Sequence, residues 1–258
     1  LKTEIYFSLM PFYGTTKMPF AVHSIPWGRD TSVEKIAEDA KKAGYTGVEL
    51  FQHPYRTLYG PQRVADVFQL HGLTLVGMCG GGLVDRIRFV DEYTRVLDAN
   101  PNDTRIPYVY LDEWREAECV EAMDRGVKLA LHPHMFKTVQ TLAEAEAYLK
   151  NYPRLKFLPD TAHLTIAGDD PFRAISNNSN RLAAIHIKDW RRDVGRSYQF
   201  YARGFCCLGE GDIDFTKILA WCHRFSGWLV VEMDFAAEPL ESTKQSLDWL
   251  LHNMPSRG

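Results

Sequence analysis

Four residues in the second half of the chain are of the types that hold a divalent cation, and each falls near the end of an apolar run. His132 closes "VKLALH" (127–132), Asp160 closes "LKFLPD" (155–160), His186 lies in "LAAIHIKD" (182–189) and Glu232 in "WLVVEMD" (228–234). Two imidazoles and two carboxylates at one place make a ligand set for Mn, Mg, Co, Fe or Zn. The carboxylates favour the harder ions and the imidazoles keep Zn, Fe and Co in range. Each residue alone has a plainer use. A histidine at a strand end makes hydrogen bonds, Asp160 can cap the helix that follows it, and Glu232 can be a surface group. Their recurrence at the same relative place in successive runs favours the metal.

Other polar residues gather at the same ends: His23, Glu49, Asp112, His134, His163, Lys188, Asp189 and Asp234. Asp160 and His163 are three apart on a turn, so both can face one pocket. His163 can then touch a substrate or orient Asp160. Lys188 follows His186 by two and points to the same face of its strand. An inward lysine is costly unless paired, which makes Lys188 a candidate acid, base or oxyanion group, or a salt-bridge partner of Glu232 or Glu49. Glu49 and His134 are the other acid/base candidates, and His23 and Trp27 are candidates for touching substrate. The long connection after residue 189 carries Arg191, Arg192, Arg196 and Arg203. It suits a lid over an anionic or hydroxyl-rich substrate, or a contact between subunits. Trp27, Trp114 and Trp190 can stack on a sugar face or pack in a core.

Positioning these groups requires a particular scaffold. Eight short apolar runs (20–25, 47–51, 73–79, 107–111, 127–132, 155–160, 182–189 and 228–234) suit strands buried on both faces. Helix-patterned stretches separate them. One is "TSVEKIAEDAKKAG", with Thr31 and Glu34 at capping-box spacing, and another is "TLAEAEAYLKNYP", with Thr141 and Glu144. "DFTKILAWCHRF" and "ESTKQSLDWLLHNM" complete the set. Eight alternations without a linker predict a single α/β domain, a (β/α)8 TIM barrel over 1–258, whose chemistry sits where strands end. An open doubly wound sheet would want a glycine fingerprint after its first strand, and "PWGRDTS" is not one. "MCGGGLVD" has glycines without that spacing and is read as a flexible or closely packed loop. The turn-rich "LDANPNDTR" and the short "PYVYL" make the fourth run the weakest strand and are consistent with a segment missing around 84–106.

The chain has 258 residues, 45% hydrophobic and 24% charged, with a net charge of -3. That balance gives no electrostatic reason to bind nucleic acid or an anionic membrane. No apolar run approaches the ~18 residues of a membrane span. Five cysteines without zinc spacing, two of them adjacent, predict a reduced cytoplasmic protein in which no cysteine serves the metal. The start "LKTEIYFSLM" lacks the parts of a signal peptide and an initiator Met, which predicts a trimmed chain.

"LALHPHMFKTVQT", "PDTAHLTIAGDDP", "IHIKDWRRDV" and "LGEGDIDF", with "SIPWGRD" and "AGYTGVELF" near the start, resemble the xylose-isomerase-like TIM-barrel superfamily of sugar isomerases and epimerases. Within it the chain is most similar to the inosose dehydratase branch, over about residues 20 to 235. The resemblance implies a divalent ion on His132, Asp160, His186 and Glu232. His132 replaces the usual glutamate, in agreement with the dehydratase branch. It implies substrate contacts for His163 and Arg192. Phe136 and Lys137 stand where that branch has a small glycine turn, so this pocket differs in shape. The implied chemistry begins with a ketone and a neighbouring hydroxyl on the ion, followed by loss of the proton beside the carbonyl. Loss of a β-hydroxyl then gives a dehydratase, and reprotonation gives an isomerase or epimerase. The expected substrate is a keto-polyol or keto-sugar, with no nucleic acid or membrane partner. Loop aromatics suggest a homodimer or homotetramer. Two other readings stay open. One is a phosphodiester-cleaving endonuclease of the same superfamily, disfavoured by net acidity and missing ligands. The other is a non-catalytic partner barrel.

Overall fold

The computed structural model describes residues 19–51, 60–99, 103–195 and 198–255. The chain start and Arg196 lie outside the described residues. In chain order the elements are β1 (Phe20–His23), α1 (Val33–Ala43), β2 (Gly47–Phe51), α2 (Pro61–His71), β3 (Thr74–Cys79), α3 (Leu83–Val96) and β4 (Tyr108–Leu111). Then come α4 (Glu116–Asp124), β5 (Leu129–Leu131), α5 (Leu142–Asn151), β6 (Lys156–Phe157), α6 (Thr161–Ile166), α7 (Pro171–Asn177) and β7 (Ala184–Ile187). A two-stranded hairpin of β8 (Asp189–Trp190) and β9 (Phe205–Cys206) precedes α8 (Thr216–Cys222), β10 (Trp228–Val231) and α9 (Pro239–Asn253).

Eight parallel strands pair in the order β6-β5-β4-β3-β2-β1-β10-β7. Two isolated parallel bridges, Phe157 with Leu182 and Asp160 with His186, join the ends and close the barrel. The expected eight-stranded barrel is therefore the fold, with helices between the strands. Alternate strand residues divide the core in two, as the period-2 pleat requires. Val22, Leu229 and Val231 belong to the shell under the helices. Ala21, Val76, Tyr108, Tyr110, Ala130, Ala184 and Val230 form a separate cluster inside the barrel. Small residues fill part of that interior. The next inward positions toward the mouth are His23, Glu49, His132, His186 and Glu232, all buried.

Several boundaries differ from expectation. The ladder of β5 stops at Leu131 and that of β6 at Phe157. Pro133 and Pro159, just past those ends, have no N–H to give to a neighbour. Within the stretch 84–106, of which residues 100–102 lie outside the described residues, α3 occupies Leu83–Val96. Its N-cap is Gly82, which gives no side-chain capping signal in the sequence. Around α1 the cap is Ser32, whose hydroxyl accepts from Lys35 N at 3.2 Å, and not Thr31, whose hydroxyl donates to the Trp27 carbonyl. The capping box of Thr141 and Glu144 forms as expected.

Candidate functional site

The four strand-end donors converge. Candidate ligand atoms of Asp160, His186 and Glu232 lie within 4.8 Å of one another, and so do those of His132, Asp160 and His163. The His132 ring is 4.9 Å from that of His186 and 5.7 Å from that of His163. Asp160 is also the N-cap of α6. Its Oδ1 accepts from Ala162 N at 2.7 Å and His163 N at 2.8 Å, while Oδ2 is buried with no partner. The capping role and the ligand role thus use different oxygens. Both ring nitrogens of His132 and of His163 are buried and unpartnered, and Glu232 Oε2 makes no aligned hydrogen bond. His186 Nδ1 faces Glu232 Oε2 and is 3.9 Å from Asp160 Oδ2.

Buried donors without partners are rare and each costs free energy. Here they share one small volume. Burial raises the Asp160 pKa to about 7, with Lys188 opposing and Glu232 adding to the rise. Burial works against a charge on His186 too, but the carboxylates of Glu49 and Glu232 outweigh it and push its pKa up to about 10. For Glu232 burial is overcome by Lys188, His23 and His186, which hold it well below the usual carboxylate range. Carboxylates outnumber cations here, and a hard or borderline divalent cation fits this donor set.

Glu49 does not face open space. Its Oε2 is 2.9 Å from His186 Nε2 and accepts from the Tyr108 hydroxyl, and its Oε1 is 3.3 Å from His23 Nε2. The carboxylate therefore holds the His186 ring by its Nε2, so that Nδ1 is the nitrogen turned toward the cluster. Tyr108 reaches it because its ring lies over Gly77 of β3, where a Cβ would collide with that ring. His23 Nδ1 accepts from Ile25 N at 3.2 Å, which leaves its ring proton on the Nε2 facing Glu49. Cys79 joins His23 and Glu49, so one cysteine does lie at the mouth, against the sequence expectation.

Lys188 is buried, 3.0 Å from Glu232 and paired with Asp234, and its ammonium lies 3.8 Å over the Phe205 ring. Burial would lower its pKa, but Asp234 and Glu232 outweigh that and raise it above the ordinary lysine value. Paired with two carboxylates, Lys188 is held as the ammonium, the form that donates a proton or a hydrogen bond. His134 is half-buried and lines a cavity of about 290 Å³ at the mouth, with His23, Asp112, Glu232 and Asp234. Its Nδ1 is 2.6 Å from the Met135 carbonyl, which can only accept, so the lone pair is on Nε2. Burial, then Lys188, lowers its pKa and keeps it neutral.

Four of the residues considered for substrate contact do not line the cavity. Trp27 donates its indole N–H to Asp39 of α1 at 2.9 Å and packs in the outer core. Arg192 is exposed, its backbone N–H bound to Asp212 at 2.7 Å. Trp114 packs edge-on against Tyr148 and tilted against Tyr152, and Trp190 donates to the Tyr201 carbonyl at 2.9 Å. Asp189 serves the loop: its carboxylate accepts from the backbone of Trp190, Gly209, Gly211 and Ile213. Residues not singled out in the sequence, Tyr108, Tyr110 and Arg86, wall the site. The tyrosines two apart in "PYVYL" were the available signal.

Among the described residues no helix is long and apolar enough to cross a membrane. The chain is 29% identical over 191 residues to inosose dehydratase of Salmonella agona, covering 67% of this chain and 61% of that protein. It is 28% identical to the rhizopine catabolism protein MocC of Rhizobium meliloti, with 83% of this chain and 81% of that one covered. The chain thus spans about 61% of the length of the Salmonella relative. A solved structure of the IOLI protein with a bound zinc atom superposes with a TM-score of 0.69 at 16% identity, covering 93% of this chain and all of that one. The family model described as xylose isomerase-like TIM barrel matches residues 82–252, and the chain belongs to that family.

Proposed function

We propose that the chain is a divalent-metal-dependent enzyme that removes the proton beside the ketone of a keto-polyol or keto-sugar, as a dehydratase of the inosose dehydratase type. The observation that carries this is the convergence of unpartnered buried donors on His132, Asp160, His186 and Glu232. These four would hold the ion. When bound it supplies Lewis-acid polarisation of the ketone and the adjacent hydroxyl. Glu49 and Tyr108 fix the ring of His186. Lys188 offsets part of the charge of Glu232 and Asp234 and holds both carboxylates in place. His134, neutral with a free Nε2 at the cavity, is the group placed to take the proton, and His163, buried with both nitrogens unpartnered, to touch substrate oxygens. His23 supports Glu49. Glu49 acts by positioning and not as the base.

Elemental analysis tests the metal. About one divalent ion per chain, lost in His132→Ala and Glu232→Ala, is the expected result. No ion after incubation with Mn, Co or Zn overturns the reading in favour of a non-catalytic barrel. Product mass and ultraviolet absorbance then divide the chemistry. Loss of water with a new absorbing product supports the dehydratase, and an isomer of unchanged mass marks an epimerase.

A further inference from the structure

The mouth has a second chemistry on the side of β3 and β4. The chain leaves β3 through Gly80, Gly81 and Gly82. Gly80 and Gly81 have φ of 82° and 68°, in the left-handed region that side chains avoid. Both line the 290 Å³ cavity, and the loop delivers the chain to α3, whose first amides receive no side-chain cap. That fourteen-residue helix presents its N–H groups and positive dipole end at this corner. Asp85 in its first turn is neutralised by Arg88 at 2.5 Å.

Arg86 lines the same cavity and is 2% exposed. It donates to the Tyr110 carbonyl at 2.6 Å and reaches Asp112 at 3.3 Å, yet its Nε–H is buried with no partner. Lys137 comes from the turn after β5 and lies 2.8 Å from the same Asp112, with its side chain 44% exposed. Arg29 lies over the Phe51 ring at 5.5 Å and meets no carboxylate among the described residues. A further acid, Glu113, is 3.7 Å from Arg86 and is shared with Arg115. Three cations thus meet at the cavity wall, with Asp112 as the one carboxylate shared by two of them and with an unspent guanidinium N–H and uncapped amides beside them. The wall's other two carboxylates, Glu232 and Asp234, are paired with Lys188. A neutral polyol would leave this corner without a charged partner beyond Asp112 and the shared Glu113. An anion with two or three oxygens would supply one with charge-assisted bonds.

We propose that the substrate carries an anionic group, a carboxylate or a phosphate, held at this corner by Arg86, Lys137, Arg29 and the Gly80–Gly82 amides. Its ketone end then faces the histidines and carboxylates. This rests on the reading of the barrel mouth as the active site. The test is binding of three probes to the protein as purified: myo-inositol, quinate and myo-inositol 1-phosphate. An anionic probe should bind at least about tenfold more tightly than myo-inositol, with the preference shrinking as salt rises. Lys137→Met and Arg29→Met, both at partly exposed side chains, should each weaken the anionic probe about fivefold and leave myo-inositol unchanged. Quinate binding ahead of the phosphate assigns a carboxylate, and the reverse a phosphate. Equal binding of myo-inositol, a preference unmoved by both variants, or no binding of any probe overturns the proposal. Repeating the titration after chelation separates the two readings. An anion preference in a chain that never binds metal keeps this corner and sinks the enolising reading; metal binding without a preference does the opposite.

Discussion

The two halves of the barrel mouth use the same residue types to different ends. On β1 and β2, His23 and Glu49 are buried and most of their polar atoms have partners, Ile25 N, Tyr108 and His186. Glu49 Oε1 lacks an aligned hydrogen bond, though it is 3.3 Å from His23 Nε2. On the β5, β6 and β10 side, His132, Asp160 and Glu232 are equally buried and keep atoms without aligned partners. A histidine or carboxylate at a strand end is therefore not informative by type. What separates a structural group from a ligand candidate is how much of its hydrogen-bonding capacity is spent and whether the unspent atoms face one another. Glu49 stands between the halves, finished on one side and orienting His186 toward the unfinished side.

That contrast can be broken by experiment. The largest effect is expected from exchanging histidines. His132→Ala should abolish metal binding, whereas His23→Ala should keep about one ion per chain with affinity reduced within about tenfold, read by chelator competition. Equal loss in both would erase the distinction. Next in size, Glu49→Gln should weaken metal affinity ~10–100-fold while the fold persists, because the neutral amide holds the His186 ring less firmly. Co(II) absorption spectra would register the altered ligand field. An unchanged affinity would make Glu49 a bystander.

A smaller effect follows from proton linkage in chelated protein. Burial, then His134, Lys188 and His132, pulls the His163 pKa well below its usual value. The unfolded chain takes up that proton near pH 6.5 and the fold does not, so this histidine's contribution is present above pH 6.5 and lost as pH falls. His186, with its pKa raised to about 10, has the opposite sign. The stability difference between His163→Asn and the parent should thus become about 1 kcal/mol more favourable to the variant at pH 5.5 than at 7.5, read from urea midpoints. The smallest effect is for Arg192→Ala, whose side chain is exposed. Turnover should change less than about twofold, the range of surface substitutions. A hundredfold loss would bring the loop over the mouth.

The barrel was legible because strands buried on both faces read as apolar runs, and four of the donors because they stand where those runs end. The partnerships were not legible. Glu49 and His186 are 137 residues apart, and only closure of the barrel brings them together. Helices α2 and α3 follow Gly60 and Gly82, so neither carries a serine, threonine or aspartate cap to announce it. Trp27 and Arg192 sit in loops whose direction no periodicity encodes. The glycines of "MCGGG" read as a loop without a use. Their neighbour Arg86, one turn into α3, acquires meaning only when its side chain is found buried beside the cavity.

The seam between β6 and β7 adds a mechanical consequence. Every other neighbouring pair shares a ladder, but this junction rests on isolated bridges, one of them Asp160 with His186. Those are two of the residues assigned to the cation. An ion on them would act as a clasp across the weakest joint, and ion occupancy and barrel closure would be one equilibrium. The amides of Ala183 and His186, which donate to Phe157 and Pro159 across the joint, would then report loading by slowed hydrogen exchange.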